Sequence, residues 1–193
     1  MSYIIDFKDF AKFNRVEYIA PHKVEENFYK VQDLLGEPTE GDILAVITLR
    51  LKGKADWVIA NSADTALELL TTKAFWGRKS RYKKLPYASA KECNARWDKN
   101  HLHSIIRITE LKQSYSIEEV ENIITGIALS LKEVNSNDKD AVKVRTFPFC
   151  KEQISNYGNS IEYICKTSSI HYDPTARKIL TTKEKQQLTT TKL

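Results

Sequence analysis

The sequence is poor in the residues that bend, punctuate or cross-link a chain. Six glycines and five prolines are spread over 193 residues. That is too few for a linker between domains, and there is no internal repeat or low-complexity segment. The three cysteines, Cys93, Cys150 and Cys165, are odd in number and form no C-x-x-C pair. They exclude a disulfide frame or a zinc knuckle and read as free thiols in a reducing cytoplasm. No apolar run approaches the ~20 residues of a membrane span. Met1-Ser2-Tyr3-Ile4-Ile5-Asp6-Phe7-Lys8 lacks the basic-then-apolar order of a secretory leader. A cytoplasmic protein with no membrane partner is expected. A G-x-x-x-x-G-K-[ST] loop is also missing, so no helicase is expected to be attached.

What is present describes a globular domain. Apolar residues make up 41% and charged residues 28% of the chain, which is the balance of a packed protein. The length suits one domain with a full core. Net charge is +5 and the pI is near 9.0, a mild excess whose distribution matters more than its size. Arg78, Lys79, Arg81, Lys83 and Lys84 cluster around Tyr82 just after Trp76. Cations interleaved with aromatics suit a single strand, because charges follow phosphates while rings stack on bases. A solvated helix end or loop would have the same composition.

The pattern along the chain predicts an α+β fold. Residues 1–40 read as an N-terminal extension packing on the domain, with a helix over Val24–Leu35 ended by Gly36 and Pro38. Residues 41–172 form the domain and 173–193 a polar, loosely held tail. Within the domain, Asp42–Lys52 reads as a buried strand. Ser62-Ala63-Asp64 reads as the cap of a helix carrying Leu67, Leu69, Leu70 and Phe75. Pro86–Cys93 and Asn100–Thr109 are strands joined by a polar turn. Ser116-Ile117-Glu118-Glu119 has the form of a capping box, and Val120, Ile123, Ile124, Ile127, Leu131 and Val134 continue at helical spacing. Ala141–Phe149 is a fourth strand, and a last helix covers roughly Ile154–Lys166. A central antiparallel sheet with helices packed mainly on one side is the natural packing solution.

Two local patterns carry chemistry. His101 and His103 flank one apolar residue on a predicted strand, so both imidazoles project to one face and are placed to grip one divalent ion. A third ligand should be a carboxylate: Glu92, which a hairpin would bring beside His101, or Asp98 in the turn. Two imidazoles and a carboxylate suit Mn²⁺ or Mg²⁺ as a Lewis acid on a phosphate, although zinc would also accept such ligands. The second pattern is Tyr163 with Lys166 one helical turn later. A phenol attacks a phosphate when a metal holds that phosphate and a cation stabilises the developing charge. Tyr82, Tyr157 and Tyr172 compete, but none has a lysine three residues on within such a helix.

These motifs together resemble the HUH endonucleases, in the order used by single-tyrosine rolling-circle replication initiators (Rep proteins) of plasmids, phages and small single-stranded DNA viruses. Val46-Ile47-Thr48-Leu49-Arg50 matches the apolar-Thr-apolar strand, His101 and His103 match the histidine pair, and Tyr163 with Lys166 matches the Y-x-x-K helix. The resemblance spans about residues 41–167. It implies metal-dependent nicking and joining of single-stranded DNA at a replication origin through a 5′-phosphotyrosine intermediate. Tyr163 and Lys166 would be catalytic and His101, His103 and Glu92 would hold the metal. Arg50, Arg78, Lys79, Arg81, Tyr82, Lys83 and Lys84 would contact nucleic acid, with host replication proteins as further partners. The same chemistry would serve a single-tyrosine HUH transposase. A non-catalytic basic nucleic-acid-binding protein or replication regulator, with structural histidines, is the reading from a different class.

Overall fold

The computed structural model describes residues 21–54, 56–81, 83–94, 99–111, 113–150, 164–165 and 170–172. The β-branched run Ile43–Arg50 forms strand β1 behind helix α1 (Pro21–Leu35). Helix α2 (Trp57–Trp76) runs into a 3₁₀ turn (Gly77–Arg81), followed by the strand pair β2 (Tyr87–Asn94) and β3 (Lys99–Ile108). Helix α3 (Ile117–Ser130), β4 (Val142–Pro148) and the short β5 (Ile170–Tyr172) follow. The strands form one sheet in the order β4-β1-β3-β2-β5, and every neighbouring pair is antiparallel. The expected α+β class with a central antiparallel sheet is what the chain adopts. Strand β5 has no counterpart in the sequence reading. Of the helix expected over Ile154–Lys166 only Ile164 and Cys165 are described, and both are helical.

Strand alternation divides the core in two. Ile43, Ala45, Ile47 and Leu49 of β1 point to one face, where they meet Leu102, Ile106 and Ile108 of β3 and buried residues of α2 and α3. The opposite face carries Leu44, Ala88, Ala90 and Ile105, covered by Val24, Val31, Leu34 and Leu35 of α1 and by Ile164 and Cys165. Two of the three described helices therefore share a face, while α1 takes the other. Among the described residues that second face is accessible chiefly along β1. Along β1, Leu44 is buried, whereas Val46, Thr48 and Arg50 are all partly accessible. Arg107 closes the covered end: it bonds Asp42, Thr39 and the Leu35 carbonyl and lies 5.1 Å over the Phe149 ring.

Helix α2 begins about two turns earlier than expected. Asp56, not the Ser62 region, is its N-cap, accepting the N–H of Val58 at 2.8 Å and of Ile59 at 3.3 Å. Trp57 and Val58 are exposed, so the apolar period that marks the helix in the sequence starts only at Ala60. Ser62 donates instead to Glu133 at 2.6 Å. Leu67 and Phe75 are buried as a core face requires, while Leu69 and Leu70 are exposed. Of the capping box, both reciprocal bonds between Ser116 and Glu119 form.

A buried polar cluster joins α2 to the sheet. Asp64 accepts from the Tyr87 hydroxyl at 2.6 Å and from Ser89 at 2.9 Å, and pairs with Lys91 at 2.7 Å; Ser104 lies 2.9 Å from the same hydroxyl. Burial, and then the adjacent Asp64 carboxylate, push the Tyr87 phenol well above its ordinary value. A phenol whose folded pKa is raised contributes stability that is complete below about pH 10 and is lost as pH rises further. Alkaline titration followed by phenolate absorbance, with Tyr87→Phe as reference, should show one tyrosine that ionises only as the protein unfolds. Among the described residues no helix is long and apolar enough to cross a membrane.

Candidate functional site

Register puts the two histidines on this second face. Arg50 of β1, His101 of β3 and Glu92 of β2 lie in one cross-strand row. Lys143, Thr48, His103 and Ala90 form the next row, and Arg145, Val46, Ile105 and Ala88 the third. The hairpin thus sets Glu92 directly opposite His101, as expected. Its carboxylate, however, reaches back along the diagonal, a distance long side chains can span. Glu92 Oε2 stands 3.6 Å from His103 Nε2, and both side chains are largely buried. On the other side of the ring, His103 Nδ1 lies 3.1 Å from the Thr48 hydroxyl. His103 is therefore held from β1 and approached from β2.

A shared ion can be tested against these distances. Two ligands bound at about 2.1 Å stand roughly 3.0–3.6 Å apart for angles between about 90° and 120°. The separation of Glu92 and His103 lies at the top of that range. The imidazoles of His101 and His103 are parallel to within 6°, with centroids 6.2 Å apart. Two rings on one ion have centroids roughly 4.5–5.5 Å apart, so His101 would have to close on His103 by about 1 Å. Among the described residues no three His, Cys, Asp or Glu side chains are already gathered for an ion. Carboxylate and imidazole donors are of a kind that Mn²⁺ accepts. Asp98, the other carboxylate considered, lies outside the described residues.

Around this centre stand three cations, Arg50, Lys143 and Arg145, the first two paired with carboxylates. Arg50 pairs with Asp138 at 2.6 Å, and this bond, followed by the Asp140 backbone N–H, holds the Asp138 carboxyl below the usual carboxylate range. Lys143 and Arg145 are exposed on edge strand β4, with Lys143 3.6 Å from Asp140. Lys143 lies two strands, or roughly 10 Å, from His103 in the same row, and Arg145 stands about 7 Å further along β4. That interval is well suited to successive phosphates of an extended single strand. Alanine at both positions should lower the slope of log K against log salt for single-stranded DNA by roughly 1.4, at about 0.7 per phosphate contact. Fluorescence anisotropy over a salt series measures it. Sequence reading did not single out Asp138, Lys143 or Arg145, which the fold brings near the histidine rows. The alternation Lys143-Val144-Arg145 within a strand was the available signal, since it sets both cations on one face.

The basic cluster that the sequence singled out lies elsewhere. Its 3₁₀ turn, which includes Lys79, follows Trp76, whose indole donates to the Thr109 carbonyl at 2.8 Å. Thr109 lies eight residues along β3 from His101, about 26 Å away. Lys83 pairs with Glu110 at 2.6 Å and sits 5.0 Å over the Trp76 ring, and Lys84 pairs with Glu68 at 3.2 Å. Arg78 and Arg81 remain exposed. The structure does not bring this cluster to the histidines, and Tyr82 lies outside the described residues. Tyr163 and Lys166 also lie outside them. Their chain neighbours Ile164 and Cys165 are buried in the cluster on the histidine-bearing face, and Asn27 of α1 donates to the Cys165 carbonyl at 3.4 Å.

Comparison with protein-family models, with curated proteins and with solved structures gave no match.

Proposed function

We propose that this protein is a metal-dependent single-stranded DNA nickase of the HUH endonuclease type, acting as a rolling-circle replication initiator. The observation that carries the reading is the approach of Glu92 to His103 beside His101, on a sheet face whose β4 edge carries exposed Lys143 and Arg145. His101, His103 and Glu92 would hold Mn²⁺ or Mg²⁺. A divalent ion there would supply Lewis-acid polarisation of the scissile phosphate. Tyr163 attacks phosphorus, a new O–P bond forms to the phenolic oxygen, and the P–O3′ bond breaks. The phenolic proton passes to solvent, the departing 3′ oxygen takes a proton, and the product is a 3′-hydroxyl with a 5′-phosphotyrosine. Lys166 stabilises the charge that develops in this step. Rejoining runs the same step in reverse. Arg50, Lys143 and Arg145 line the approach for the phosphates.

The wide spacing of the two rings also suits a nucleic-acid-binding regulator with no catalytic role. One assay separates the two readings. The protein is incubated with a library of single-stranded oligonucleotides and Mn²⁺, then run on a denaturing gel. A slower protein band is expected, and sequencing its bound oligonucleotide gives the preferred site. Binding to single strands with no such band for any oligonucleotide overturns the nickase and leaves the regulator.

A further inference from the structure

We infer that Thr48 is the positioning residue for His103, holding the ring so that Nε2 faces Glu92. This rests on the reading of His103 as a metal ligand and extends it to a residue on the neighbouring strand. The geometry is a bracket. Thr48 Oγ1 lies 3.1 Å from Nδ1 and Glu92 Oε2 lies 3.6 Å from Nε2. The first distance is that of a hydrogen bond, whereas the second is too long for one and right for two donors facing a cation. A neutral imidazole carries its proton on one nitrogen and a lone pair on the other. A ligand Nε2 therefore requires the proton on Nδ1, which then donates to the Thr48 hydroxyl.

Thr48 is suited to the task. It pairs directly with His103 in the β1–β3 ladder, so backbone register sets their separation. Its β-branched side chain has few rotamers, so little freedom is lost in aiming the hydroxyl. It is only half-buried, while the opposite face of β1 is packed solid. Valine has the same shape and is likewise favoured in strands, so a purely structural position here would accept it.

The test compares Thr48→Val with Thr48→Ser in the full chain. Imidazole nitrogen chemical shifts of metal-free, ¹⁵N-labelled protein report hydrogen bonding at His103 Nδ1, and calorimetric titration reports Mn²⁺ affinity. Thr48→Val should shift the Nδ1 resonance and bind Mn²⁺ about tenfold more weakly, the low end for losing such an outer hydrogen bond. Thr48→Ser should restore both. A folded Thr48→Val protein with an unchanged Nδ1 shift overturns the inference; Thr48→Ala serves the same comparison if the valine variant does not fold. Failure of the unaltered protein to bind Mn²⁺ would instead overturn the metal reading, with the Nδ1 shift still deciding the role of Thr48.

Discussion

Replacing Tyr163 with phenylalanine should abolish the covalent protein–DNA adduct and lower nicking by roughly 10⁴-fold or more, with single-strand binding kept within about twofold. The size follows from the nature of the step. A covalent nucleophile has no understudy in its own site, and what survives its removal is attack by water on a phosphate that is still positioned. Phenylalanine keeps the ring and removes only the hydroxyl. The adjacent Ile164 and Cys165 are buried among Leu44, Ala88, Ala90 and Ile105, so this segment keeps its anchor to the sheet. A gel for the adduct, a cleavage time course and anisotropy for binding separate the three quantities. Nicking that persists in Tyr163→Phe would move the nucleophile elsewhere, and Tyr157 would be tested next. A loss of binding in parallel with cleavage would mean that the hydroxyl contacts DNA without reacting.

The parts of this site that were legible in the sequence are those governed by strand period and hairpin register. A two-residue period fixes His101 and His103 on one face, and a short turn between two β-rich runs fixes Glu92 opposite His101. What escaped depends on strand order and on side-chain reach. That β1 lies between β3 and β4 follows from how the sheet closes, and no local pattern states it. Only with that order known do Thr48, Lys143 and Arg145 join the histidine rows. The diagonal reach of Glu92 to His103 is a choice of rotamer, invisible to register. The basic cluster near Trp76 drew notice because its charges are consecutive. In the fold Lys83 and Lys84 are matched by Glu110 and Glu68, whose distance in sequence hides the pairing.

The largest loss of stability is expected from Asp64→Ala, on the face away from the histidines. The substitution deprives buried Lys91 of its carboxylate at 2.7 Å and removes the acceptor used by Tyr87 and Ser89. Breaking a buried ion pair from one side costs about 3–5 kcal/mol, because the remaining charge stays desolvated. Against a typical total of about 5–15 kcal/mol, that is a large share. In a chain of this length it lowers the melting temperature by roughly 10 °C. Asp64→Asn keeps most of the hydrogen bonding and should fall between the two. The consequence reaches the site through β2, where Ala90, Lys91 and Glu92 are consecutive and Lys91 points to the face opposite Glu92. Anchoring Lys91 to α2 holds β2 in the register that keeps Glu92 opposite His101, and a slip of one residue would turn Glu92 to the wrong face. Asp64→Ala should therefore weaken Mn²⁺ binding even below its melting transition, although Asp64 touches no proposed ligand. Urea unfolding and Mn²⁺ titration on the same preparation test both halves. A stability loss under about 1 kcal/mol would show that Lys91 finds water or another partner, and unchanged metal affinity in a destabilised variant would show that β2 keeps its register without this anchor.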